Sequence, residues 1–109
     1  MRYTPWKVRV VPLAEKEIRA LPPDLQARYL RLVDVIQDLG PGVLGMPHAR
    51  QVEGKIWELR LKGRDGIARA LYVCAASREV VVLHAFVKKS QKTPRRAIDT
   101  ARKRWEENL

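Results

Sequence analysis

An α+β fold is predicted by a change of period along the chain. Apolar residues recur at steps of three and four up to residue 39, and from residue 56 onward they alternate with polar ones. A third observation is the Thr93-Pro94 pair, which opens one more amphipathic segment near the C-terminal end. The expected order is β, α, α, β, β, β, α: an antiparallel sheet with an N-terminal helical hairpin and a C-terminal helix. At 109 residues and 46% hydrophobic content, the chain reads as a single domain over 1–109 with material for one core.

The first strand runs from Trp6 to Val11, where β-branched residues alternate with Lys7 and Arg9. Pro12 ends it, because proline cannot donate to a sheet ladder, and an edge position is expected. Leu13, Glu17 and Ile18, and Leu21 fall at helical spacing before Pro22-Pro23 stops the helix. A longer helix carries Leu25, Tyr29, Leu32, Val33, Ile36 and Leu39 on one stripe, with Pro23-Asp24 at its start and Gly40-Pro41 as its stop. Gly40 to Arg50 is read as the main loop. Ile56–Lys62 and Ile67–Cys74 flank Gly63-Arg64-Asp65-Gly66 and form a hairpin. Val80–Val87 follows a short turn at Ala76-Ser77, and the last helix takes Thr93 as N-cap and Pro94 as its first residue.

Lys and Arg number 22 against 12 Asp and Glu, a net charge of +10, and seven of those ten charges lie between Lys88 and Arg104. Such density favours a polyanion, nucleic acid first, over a merely solvated helix end. Cys74 is the only cysteine, which rules out an intramolecular disulfide and a multi-cysteine zinc site; it is read as a buried strand residue. No stretch approaches the ~20 apolar residues of a membrane helix or the core of a signal peptide, so a cytoplasmic location without a membrane partner is expected.

The hairpin fixes a register. Symmetric pairing across Gly63–Gly66 sets Arg60 opposite Arg69 on one face, with Lys62 beside them. The other face pairs Trp57 with Tyr72, Leu59 with Ala70 and Leu61 with Ala68, and this is the expected core layer. Like charges directly opposite cost roughly 0.2 to 1 kcal/mol. Either an external anion or the internal carboxylate of Glu58 must therefore sit with the arginines. A two-residue turn before the third strand would place His84 opposite Arg69 and bring Val82 and Phe86 to the same face. Arg60, Arg69, Lys62, His84 and Lys88 would then surround a shallow anion site, with Lys89 or Lys92 reaching over it. His84 has a structural reading as well, and Phe86 serves either as core or as a platform for a base. Trp105 is expected to anchor the last helix.

Such a cluster suits RNA cleavage by the RNA's own 2′-hydroxyl: arginines hold the phosphate and stabilise developing charge, and a lysine or histidine moves a proton. Scattered carboxylates and histidines and the lack of a phosphate-cradling glycine loop point to no metal and no cofactor.

The segments IWELRLKGRDGIARALY (56–72) and VVLHAFVKKSQKTPRRAIDTA (81–101) carry the patterns WELR then DGIxR, and HxFxKKxxKTP. On these the chain resembles the HigB-like toxins of the RelE/ParE superfamily, in their phage-derived branch, from Trp6 to about Trp105. The resemblance implies a RelE-like fold and the toxin of a type II toxin-antitoxin pair. It further implies a ribosome-dependent mRNA endonuclease that inhibits translation until a cognate antitoxin of helix-turn-helix type binds it. Its catalytic positions fall on Arg60, Arg69, Lys88 and Lys89, with His84 as a second candidate base. RNA contacts fall on Lys62, Phe86, Lys92, Arg95 and Arg96. Ala68 and Ala70 stand beside Arg69 where relatives carry larger residues. Two other readings are a gyrase poison of the ParE type, which needs no anion site on the sheet, and a nucleic-acid-binding regulator without catalysis.

Overall fold

The computed structural model describes residues 5–64, 66–89 and 92–109. Tyr3, Asp65 of the predicted turn, and Ser90 and Gln91 of the HxFxKKxxKTP pattern lie outside the described residues. The elements are β1 (Lys7–Val10), α1 (Pro12–Arg19), α2 (Pro23–Leu39), a 3-10 turn (Pro41–Val43), β2 (Ala49–Glu53), β3 (Ile56–Lys62), β4 (Ile67–Ala75), β5 (Glu79–Lys88) and α3 (Arg95–Glu107). They form one sheet in the order β1-β5-β4-β3-β2. The α+β class is as predicted, with two corrections.

The first correction is β2, which begins at Ala49 within the expected Gly40–Arg50 loop and runs to the tight turn before β3. Its sequence ARQVE buries only Ala49 and lacks the apolar alternation that marks a strand. The second is that the sheet is mixed: β1 pairs parallel to β5, so only the other four strands are antiparallel. The helical hairpin between β1 and the rest of the sheet makes this possible, because a parallel neighbour requires a crossover.

Prolines set the helix starts. Pro12 and Pro23 occupy first-turn positions where the missing N–H costs nothing, and Pro94 caps α3 through its carbonyl, which accepts from Ala97 and Ile98. Thr93 does not cap α3, contrary to expectation; its hydroxyl donates to Glu58 instead. Gln26 on α2 donates to the carbonyls of Arg19 and Leu21, satisfying the end of α1 and fixing the angle of the helical hairpin.

The β3–β4 register is the predicted one, with Trp57↔Tyr72, Leu59↔Ala70, Arg60↔Arg69 and Leu61↔Ala68. Leu59, Leu61, Ala68, Ala70 and Tyr72 are buried with Leu25, Leu32 and Ile36 of α2 in the core. Trp57, expected in that core, is 37% exposed at its margin. Cys74 is exposed rather than buried, and it lines an apolar hollow with Trp6, Leu44 and Trp57. Trp105 packs against the core as expected.

Candidate anion site on the sheet

The β4–β5 connection decides where the second half of the site falls. The loop holds three residues, Ala76 to Arg78, and Ser77 and Arg78 adopt left-handed φ of 61° and 55°. A bulge between Leu71 and Tyr72 then shifts the register again. Arg69 therefore faces Phe86, and His84 faces Leu71. The expected His84–Arg69 pairing is wrong by one same-face step, about 7 Å along the strand. The bulge keeps Phe86 and His84 on the arginine face, where their rings stack 5.0 Å apart, whereas Val82 pairs with Tyr72 and is lost to that face.

The arginine face is not the open surface the alternation implied. Arg69 is 2% exposed, Glu58 2% and Lys88 6%, with α3 packed on β3, β4 and β5 and Thr93 bonded to Glu58. Glu58 is the internal carboxylate between the arginines: its Oε2 stands 3.5 Å from Arg69 Nε and 3.9 Å from Arg60 Nε, and its Oε1 accepts from Thr93. Arg69 also donates to the carbonyl of Ala68 at 3.1 Å. Arg50, on the unpredicted strand β2, pairs directly across from Glu58. One buried carboxylate thus meets the fields of Arg50, Arg60, Arg69 and Lys88. The excess remains positive.

That excess is felt in the protonation energies. Burial holds the Lys88 ammonium below its ordinary pKa of 10.5, and Arg69 lowers it further; Glu58 pulls the other way. Burial likewise lowers Arg69, against the pull of Glu58 and with the push of Arg60 and Arg50. Arg50 is exposed and Arg60 partly so: the Arg60 side chain is 20% exposed, and its Nη1 rests 3.5 Å from the sulfur of Met46. A cleft of about 370 Å³ has Arg60, Lys62 and His48 along its walls and Arg69 at its floor.

His84 belongs to a different cluster. Its Nδ1 lies 2.9 Å from Glu17 Oε1, and Arg104 binds both oxygens of Glu17 at 2.7 and 3.0 Å. Glu17 also accepts from the Ala85 N–H, and Arg104 donates to the Leu83 carbonyl. These two backbone groups lie past the end of the β1 pairing at Val82, so the side chains cap an open sheet edge. His84 is engaged there rather than as a base beside Arg69.

The basic run of the C-terminal segment is also engaged. Arg95 makes a two-pronged pair with Glu53 at 2.5 and 3.0 Å and also meets Asp99; Arg102 bonds Glu53. Lys92 has partners as well, whereas Lys89 and Arg96 are exposed. Among the described residues no three His, Cys, Asp or Glu side chains gather as a metal site, and no helix is long and apolar enough to cross a membrane. The sequence reading missed Arg50, whose signal was faint because the strand that carries it has no apolar stripe, and it did not single out Arg28 and Arg31.

The family model described as "Phage derived protein Gp49-like (DUF891)" matches residues 16–106. Among solved structures, a mutant of the E. coli toxin RelE in the free state superposes with a TM-score of 0.66 at 14% identity, covering 93% of this chain and 98% of that one. A chain of the archaeal RelE-RelB complex from Pyrococcus horikoshii OT3 gives 0.58 at 15% identity, covering 81% of this chain and 100% of that one. No curated protein sequence matches significantly. The fold is that of RelE.

Proposed function

The chain belongs to the phage-derived Gp49-like family, and on that premise we propose that it is the toxin of a type II toxin-antitoxin pair, an endoribonuclease that cleaves mRNA on the ribosome. The observation that carries this reading is the set of four cations about Glu58 beside an open cleft. A site that stays positive after internal neutralisation is built for a further anion, and the scissile phosphate is one that develops extra charge as it reacts. The RelE fold and the RelE-RelB complex among its structural neighbours support an antitoxin as partner. The HigB-like motifs support the same assignment.

Cleavage proceeds by attack of the RNA 2′-hydroxyl, which gives up its proton to solvent water or hydroxide, on the adjacent phosphorus; this expels the 5′-oxygen and leaves a 2′,3′-cyclic phosphate. Arg60, at the wall of the cleft, holds the non-bridging oxygens. Arg69, buried beneath, raises the positive potential in a low-dielectric setting where it is weakly screened. Lys88, its pKa lowered, donates the proton that the leaving oxygen needs; an ammonium that binds its proton less tightly is the better acid. Lys89 and Lys62 line up the flanking phosphates. These steps require no metal and no cofactor.

The test is 5′-end mapping of mRNA incubated with the purified protein, with and without translating ribosomes, comparing wild type with Arg60→Gln. Cleavage that needs ribosomes and disappears in the variant is the expected result. Cleavage of free RNA would retain the nuclease and remove the ribosome from the mechanism. No cleavage in either condition would overturn the reading.

A further inference from the structure

Much of the charge that the sequence concentrates in its C-terminal segment is spent on ion pairs, and a second basic surface lies elsewhere. In the C-terminal helix Arg95 and Arg102 are tied to Glu53 and Asp99, and Arg104 to Glu17. Across the molecule, a cleft of about 690 Å³ lies between the start of α2 and the β3–β4 hairpin, lined by Arg28, Arg31, Lys62, Gly63 and Arg64. All four of its cationic side chains are exposed, and among the described residues none of them makes an ion pair. Asp24 is the one carboxylate among the described lining residues, and its Oδ2 accepts the Arg64 N–H at 2.8 Å.

Two features make this more than scattered charge. Arg28 and Arg31 stand three residues apart on one helix face, an arrangement of like charges that weakens a helix unless something anionic lies on it. The cleft also shares Arg28 and Lys62 with the one that holds Arg60 and Arg69, so the two adjoin as one trough leading from Arg60 to Arg31 and Arg64. Gly63 suits the close approach of hairpin and helix that creates it, since a Cβ there would run into the Asp24 carboxylate and a Leu25 methyl.

We infer that single-stranded RNA entering the Arg60 site continues along this trough, with its flanking phosphates on Lys62, Arg28, Arg31 and Arg64 rather than on the C-terminal helix. The inference rests on the endoribonuclease reading for its substrate class and adds the path of the strand. An exposed row of guanidinium groups suits a phosphate backbone, whose repeating charge can occupy several at once.

The experiment measures binding of a short 2′-O-methyl oligoribonucleotide, which cannot be cleaved, as a function of salt. Wild type is compared with Arg28→Gln/Arg31→Gln and with Lys7→Gln/Lys16→Gln, which removes the same charge from exposed positions elsewhere. The first variant is expected to bind on the order of tenfold more weakly, its log–log salt slope reduced by about 1.4, the value for two lost single-strand phosphate contacts. The Lys7/Lys16 variant is expected to retain wild-type affinity and slope. Equal losses in both variants, unchanged binding by the Arg28/Arg31 variant, or no binding by wild type would each overturn the trough. Cleavage is scored separately on wild type. A protein that binds through the trough but never cuts RNA supports the path and overturns the nuclease, and one that cuts while the Arg28/Arg31 variant binds normally does the reverse.

Discussion

Arg69 is the residue at which position in the sequence and position in space diverge most. Strand alternation puts it on the face opposite the core, where its removal would relieve repulsion from Arg60. In the fold it is buried against Glu58, so removing it leaves a carboxylate in a low-dielectric setting with reduced compensation. Arg69→Ala is therefore expected to destabilise the protein by about 3 kcal/mol, measured by chemical denaturation. Replacing both partners, as in Glu58→Leu/Arg69→Met, should recover most of that loss, because two matched apolar groups replace a buried pair. If Arg69→Ala melts like wild type, the pairing carries no stability. Lys88 gives a second prediction at the same scale. As general acid it works only while protonated, and its pKa lies below 10.5, so the cleavage rate should fall as pH rises through that lowered value. Lys88→Arg keeps the charge without the titration. Its profile should be slower and flat over the same range, and an unchanged descending limb would assign the proton to another group.

Among the elements, α1, β5 and α3 meet at Glu17, and the meeting is electrostatic as much as apolar. Burial works to raise the Glu17 pKa, but hydrogen bonds from Arg104, His84 and the Ala85 N–H outweigh it and hold the carboxyl below 4.5. A carboxylate with a depressed folded pKa stabilises fully above its unfolded value, and this contribution is lost as pH falls through the folded one. Melting temperature should thus decline below about pH 4.5 in wild type and decline less in Glu17→Gln, which should already be about 2 kcal/mol less stable at neutral pH. Parallel curves for the two proteins would remove Glu17 from the acid transition. This clasp was invisible in the sequence, since residues 17, 84 and 104 are brought together only by the parallel crossover of β1 and the docking of α3. The helices and the β3–β4 hairpin were legible, because each is signalled locally by a stripe, a proline start or a glycine-flanked turn. β2 was not, since a polar edge strand leaves no apolar period. The His84 register failed because the β4–β5 loop uses left-handed Ser77 and Arg78 in place of glycine, and because no local pattern announces the bulge at Leu71. Of the candidate site, the Arg60–Arg69 pairing followed from the hairpin alone, whereas burial of Arg69 depended on a helix distant in sequence.

At the scale of the whole molecule, that same helix joins fold and chemistry. α3 carries Arg95, Arg96, Arg102, Lys103 and Arg104 of the basic run, yet Arg95, Arg102 and Arg104 are spent on Glu53 and Glu17, so its charge fastens it to the sheet. Ala97, Ile98 and Ala101 are buried beneath it, and the Thr93 hydroxyl just before it reaches Glu58. Deleting the chain after Lys92 would expose Ile98's share of the core, worth about 2 kcal/mol, and remove the Arg104 clasp, worth about 2 kcal/mol more. It would also strip the bond and the cover from the buried Glu58 carboxylate, at a further 2 kcal/mol or so. The total approaches the ~5 to 15 kcal/mol that holds a domain of this size together. The truncated chain should therefore lose its cooperative thermal transition and its near-ultraviolet circular dichroism, and with them any RNA cleavage. Arg95→Gln, which touches only the exposed Glu53 and Asp99 pairs, should retain all three. A truncated protein that melts cooperatively would show that the sheet and helical hairpin are stable alone, and α3 would then act solely as a cover over Arg69 and Lys88. In that case uncovering the site should raise RNA affinity, and the same preparation would report it.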